Sequence, residues 1–143
     1  MKKLCGALAI IALGVAGLGF YSVAGAKGEK KVDNRVFEIR TYYAMPGKMQ
    51  DLHARFRDHT CKIFKKHDMT LIGFWVPTNP KDAEEKMVYI MAFPSEEAGK
   101  KSWDAFRKDP EWIAARDASE KNGKLVAKVE SVYLNPTDYS PIK

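Results

Sequence analysis

The 143-residue sequence predicts an α+β domain of order β-α-β-β-α-β, a four-stranded antiparallel sheet with both helices on one face. Three observations predict it. Runs of β-forming residues bounded by turn signals occur at Val36–Tyr43, Leu71–Val76, Met87–Phe93 and Leu125–Leu134. Two stretches between them, Lys48–His67 and the segment after Ser95, repeat apolar residues at helical spacing. Finally, one helix falls between the first and second strands and the other between the third and fourth.

The first strand, VFEIRTYY, alternates, so Phe37, Ile39 and Thr41 point one way and Glu38, Arg40 and Tyr42 the other. Met45-Pro46-Gly47 ends it. Along the first helix Met49, Leu52, Phe56, Thr60, Ile63, Phe64 and His67 fall on one face, His53 and His59 flank it, and Cys61 projects well away. LIGFWV is continuously apolar, which predicts a strand covered on both faces. A polar turn, Pro77–Lys86, joins it to the third strand. Ser95 is placed to cap the second helix, with Glu96 and Glu97 near its positive end and Ala98, Gly99, Ser102, Trp103 and Phe106 inward. Asp109-Pro110 restarts the helix as N-cap and N1, Trp112, Ile113 and Arg116 continue it, and Asn122-Gly123 stops it. Residues 135–143 form an extended tail. This is the ferredoxin-like pattern. It leaves one sheet face uncovered, and Phe74 or Trp75, Tyr89, Met91, and Tyr42 or Tyr133 are expected there. A second copy is the expected cover, giving a homodimeric α/β-barrel.

Residues 1–26 read differently from the rest. Lys2 and Lys3 lead into an apolar run ending in Ala24-Gly25-Ala26, the form of a signal peptide cleaved after Ala26. The alternative is an N-terminal membrane anchor, because Leu4–Val23 is long enough to span a bilayer. The protein is therefore expected to be exported, periplasmic or extracellular, meeting a membrane only through that segment. Residues 27–35 read as a flexible linker to a domain at 36–143. Without Lys2 and Lys3, 22 basic residues stand against 18 acidic ones. They are dispersed, so a solvated surface is expected and a nucleic-acid partner is not. Cys61 alone remains after cleavage, which excludes an intramolecular disulfide.

Phe37-Glu38-Ile39-Arg40-Thr41-Tyr42, Pro46-Gly47-Lys48, Gly73-Phe74-Trp75, Asp109-Pro110-Glu111-Trp112, and Glu130-Ser131 with Leu134-Asn135-Pro136 and Tyr139-Ser140-Pro141 together resemble the NIPSNAP domain. The resemblance covers about Val36–Pro141. It implies a dimeric α/β-barrel of ferredoxin-like units and no settled chemistry. Mitochondrial members act through protein partners, and the signal-like N-terminus departs from them.

Candidate chemistry is sparse. Glu38 and Arg40 share a strand face; if it lines the barrel interior, Arg40 anchors an anion and Glu38 orients it. The alternatives are an ion pair with the opposite subunit or a solvated strand end. No two histidines stand at i, i+4, so no metal site is expected. His59 or His67 could serve as a haem ligand or general base, or simply flank the core. Cys61 has no activating neighbour in sequence. Trp75 is the tryptophan most suited to a pocket wall, and Trp103 and Trp112 read as packing anchors. Nucleotide-binding, serine-hydrolase and zinc motifs are all lacking. The expectation is thus a homodimeric module binding a small molecule or protein, without a cofactor, with Glu38, Arg40, Tyr42, His59, Trp75 and Tyr89 as candidate ligand-binding residues. The alternative is a cofactor-independent oxygenase or similar small-molecule enzyme using the barrel interior.

Overall fold

In sequence order the elements are β1 (Val36–Ala44), α1 (Met49–Arg55), a π-helical turn (Phe56–Thr60), α2 (Cys61–Lys66), β2 (Thr70–Trp75), α3 (Pro80–Ala83), β3 (Lys86–Phe93), α4 (Glu96–Lys108), α5 (Pro110–Ser119) and β4 (Val126–Leu134). The computed structural model describes residues 35–143. The expected signal segment and residues 27–34 of the linker lie outside the described residues. Among those described, no helix is long and apolar enough to cross a membrane.

The strands form one antiparallel sheet in the order β2-β3-β1-β4, the ferredoxin-like arrangement that the sequence pattern predicts. Strand registers place Glu38 beside Met91 and Tyr133, Arg40 beside Tyr89 and Ser131, and Tyr42 beside Met87 and Val129. These residues face the helices. Between sheet and helices lies a core of Met49, Leu52, Phe56, Ile63, Phe64, Met69, Met87, Tyr89, Met91, Phe93, Trp103, Phe106 and Leu125.

The opposite face therefore differs from expectation. Tyr89, Met91, Tyr42, Tyr133 and Phe74 lie beneath the helices; Phe37, Ile39, Val88, Ile90, Val132 and Leu134 occupy the open face, with Trp75. Alternation divides a strand into two faces but does not say which one the helices cover. The aromatic faces of the helices decide it: Phe56 and Phe64 each pack edge-on or tilted against Tyr89, with ring centroids 5.4 and 6.0 Å apart. In β2 the parity is further obscured by a bulge, since the register shifts between Leu71 and Gly73. β2 is also an edge strand with exposed Phe74 and Trp75, not a strand covered on both faces.

The first long helix is interrupted. Cys61 N–H bonds to Phe56 O, an i to i+5 closure that spends an extra residue on one turn. Thr60 Oγ1 donates to Arg55 O at 3.2 Å and so satisfies a carbonyl displaced from the α-helical ladder. Residues beyond this turn are rotated relative to a straight α-helix. Cys61, expected on the outer side, is consequently half-buried against the core.

The remaining joints follow side-chain capping. Ser95 Oγ accepts from Ala98 N–H at 3.1 Å, and Asn79 caps the short α3 inside the expected polar turn. Asp109 separates α4 from α5: its Oδ1 accepts from Glu111 N–H at 2.8 Å, and Pro110 follows at N1. Gly123, at φ +103°, permits the turn from α5 towards β4. The C-terminal tail is not straight. It turns at 138–139 and lies across one end of the open sheet face, enclosing a cleft of about 280 Å³ between Phe37, Ile39, Ile72 and Ile90 and its own Pro136 and Ile142.

Candidate functional site

The residues singled out from sequence separate into three places. Glu38, Arg40, Tyr42 and Tyr89 come together beneath α4. The Glu38 carboxylate, only 1% exposed, accepts from Arg40 Nη1 at 2.7 Å, from Trp103 Nε1 at 2.5 Å and from Ser131 Oγ. Arg40 lies over the Trp103 ring, 4.0 Å from its centroid, and is also close to Tyr42. Burial opposes its charge, yet the adjoining Glu38 carboxylate favours the cation and the pKa is raised, so Arg40 is a permanent cation. Burial, chiefly, raises the Tyr89 pKa well above the ordinary phenol value and that of Tyr133 to about 12. Both phenols are therefore neutral.

This arrangement answers what Glu38 and Arg40 do within the chain. They pair with each other, on the helix-covered face and not on the open one. The carboxylate, the guanidinium and the indole together link β1, β4 and α4.

His59 is elsewhere. It is exposed in a groove between α1 and α5, with Asp51, Asp58 and Ser119, and does not approach Glu38 or Arg40. His67 is engaged structurally: its Nε2 lies 2.6 Å from Asp109 Oδ2, which also accepts from Lys66 Nζ at 2.9 Å. These donors, Lys66 first and then His67, hold the Asp109 carboxyl far below its usual pKa. An ionised Asp109 cannot donate, so His67 Nε2 carries the proton in this bond.

In a third place Trp75, its indole lying over Gly73 on the open sheet face, borders a slot of about 390 Å³ between the first helix and the ends of β2 and β3. Its walls are His53, Phe56, Arg57, Cys61, Phe74, Trp75, Val76 and Met87. Three of these, His53, Arg57 and Cys61, stand one turn apart along the helix that carries the π turn. Burial, followed by the charge of Arg57, lowers the His53 pKa, which leaves a neutral imidazole near pH 7. Burial raises the Cys61 thiol, with Lys65 partly opposing, so it is protonated and a weak nucleophile. Phe74 stacks on Tyr89 at 5.2 Å and meets Phe56 edge-on at 5.8 Å, while remaining 38% exposed. Among the described residues no group of three or more His, Cys, Asp or Glu side chains is arranged to hold a metal ion.

The family model for NIPSNAP matches residues 37–141. The chain belongs to the NIPSNAP family. Solved NIPSNAP structures agree with it in fold. A family protein from Agrobacterium tumefaciens str. C58 is 23% identical with TM-score 0.66, the match covering 76% of this chain and 99% of that one. An uncharacterised NIPSNAP domain protein from Burkholderia xenovorans is 22% identical with TM-score 0.62, covering 74% and 98%. SnoaB from Streptomyces nogalater, a cofactor-independent oxygenase, is 12% identical with TM-score 0.51, covering 76% and 98%. No curated protein matches the chain.

In this NIPSNAP domain, the sequence reading missed His53, Arg57, Phe56, Phe74 and Cys61 as one set. The available signal was their spacing: His53, Arg57 and Cys61 recur every four residues beside the apolar stripe. It was weak because a straight helix carries Cys61 away from the core, and only the π turn restores it to the slot. Trp103 and Ser131 were missed as partners of Glu38 because nothing local connects positions 65 and 93 residues away.

Proposed function

We propose that this chain is an exported, homodimeric NIPSNAP domain that binds a small organic molecule in the slot beside the π turn. One observation carries the binding reading: an aromatic-walled slot of about 390 Å³ gathers a neutral imidazole, a cationic guanidinium and a thiol from successive turns of one helix. Ligand sites are characteristically concave, mostly apolar, and supplied with a few convergent polar groups. π turns recur at such places because they aim side chains that a regular helix would misdirect.

Homodimerisation rests on the open sheet face. Val132 is 51% exposed and Leu134 42%, beside Ile39, Val88 and Ile90, and a contiguous aliphatic face of this kind is stabilised by a second copy. Export rests on the basic start, apolar run and Ala24-Gly25-Ala26 site. Native mass spectrometry of the exported protein tests all three: a dimer beginning at Lys27, with added mass from a retained molecule, is expected. A bare monomer starting at Met1 would overturn the reading.

A second reading, a cofactor-independent oxygenase, is favoured by neutral His53 within the slot. It could take the proton of a bound phenol, leaving the substrate itself to reduce oxygen. Oxygen uptake with a phenolic substrate, lost in His53→Gln and retained in Cys61→Ser, is the expected result of that chemistry.

A further inference from the structure

We propose that the slot between the first helix and the ends of β2 and β3 takes a planar aromatic anion, such as a fused-ring carboxylic acid. This rests on the reading above that the slot is a binding site, and it names the ligand's chemistry.

Charge comes first. Of the eight lining residues none is acidic, and Arg57 is the permanent cation among them. Arg57 has no ion pair or hydrogen bond from its side chain to any described residue, whereas Arg40, Arg55, Arg107 and Arg116 each have a carboxylate. The adjacent Asp58 lines the separate groove between α1 and α5. A guanidinium matches a carboxylate in bidentate geometry, so Arg57 is complementary to an anion and repels a cation. His53, one turn earlier and neutral, adds a hydrogen-bond donor without a second positive charge.

Shape comes second. Phe74 is held from behind by Tyr89 at an interplanar angle of 22° and from the side by Phe56, so its ring is a fixed platform and not a mobile side chain. A flat ring laid on it gains stacking without the cost of ordering the wall. Met87, buried, and Val76 complete an apolar floor and rim, and the volume accepts a fused two-ring molecule. An aliphatic acid would satisfy Arg57 and waste the platform; an aromatic amine would use the platform against the charge.

The test uses the mature dimer or monomer as purified, with 2-naphthoate, 2-naphthalenemethanol and 2-naphthylmethylamine as probes, followed by calorimetry and by backbone amide shifts at His53, Arg57 and Phe74. The naphthoate is expected to bind tightest, with shifts at those three residues. Arg57→Gln is expected to weaken it about tenfold or more while leaving the alcohol within about twofold. Equal affinity for acid and alcohol, unaltered by Arg57→Gln, would overturn the anion assignment and leave slot binding standing. Absence of any slot shift with all three probes would overturn the slot itself as a site for this class of molecule.

Discussion

Trp103 Nε1 donates to Glu38 Oε2 at 2.5 Å, joining the middle of α4 to the first strand across 65 residues of sequence. The carboxylate is 1% exposed and also receives Arg40 at 2.7 Å. A buried pair of this kind stabilises less by its presence than it costs when broken, because the remaining charge has no substitute partner. Glu38→Ala is expected to lower unfolding free energy by about 3–5 kcal/mol. Trp103→Phe, which keeps the ring and deletes one donor, is expected to lower it by about 1–3 kcal/mol. Urea denaturation checks both values. A double variant whose loss equals the sum of the two would show that the residues are not coupled.

The close approach of α4 to β4 depends on Gly99. A Cβ there would lie 2.7 Å from Tyr133 Oη and 3.1 Å from Phe93 Cδ2, below ordinary contact. Gly99→Ala should therefore destabilise by about 1–3 kcal/mol despite the better helix propensity of alanine. Thermal unfolding measures it. A stability gain would mean that helix and strand separate more readily than their packing implies.

Acid should unfold the domain partly through Asp109. Lys66, His67 and the Glu111 amide hold its carboxyl below the pKa of an unfolded aspartate, about 3.9. Its contribution is fully present above that value and is lost as pH falls towards the folded pKa. Asp109→Asn is expected to flatten the stability profile below about pH 4, and denaturation midpoints from pH 2 to 6 would show it. An acid limb as steep as the parent's would place the sensitivity elsewhere.

His53 titrates in the opposite environment. Burial and Arg57 both disfavour its imidazolium, so the folded state binds this proton less readily than the unfolded state. Stability from this group is present at pH values above the ordinary histidine pKa, about 6.5, and declines as pH falls below it. Arg57→Gln is expected to raise the His53 pKa, read from the imidazole proton shifts. A downward movement would show that Arg57 acts on the ring through something other than its charge.

Much of the fold was legible because it rests on short-range signals. Alternation in Val36–Tyr43, the Ser95 cap, Asp109-Pro110 and Asn122-Gly123 each act within a few residues, and the βαββαβ order limits the topology to few choices. The candidate site was legible only in part. Glu38, Arg40 and Tyr42 do share one face, as their spacing dictates, but His59 lies in another groove and Trp75 borders the slot with its ring on the open sheet face.

By itself, then, the sequence determined the element order, the caps, the two faces of β1 and membership of the NIPSNAP family. Tertiary structure decided which of those faces the helices cover, since aromatic rings from Phe56, Phe64 and Trp103 select Tyr89 and Glu38 as partners through contacts that local spacing does not encode. It also decided the slot. One extra residue in the turn at Phe56–Thr60 rotates Cys61 towards His53 and Arg57, and residue spacing alone does not encode that extra residue.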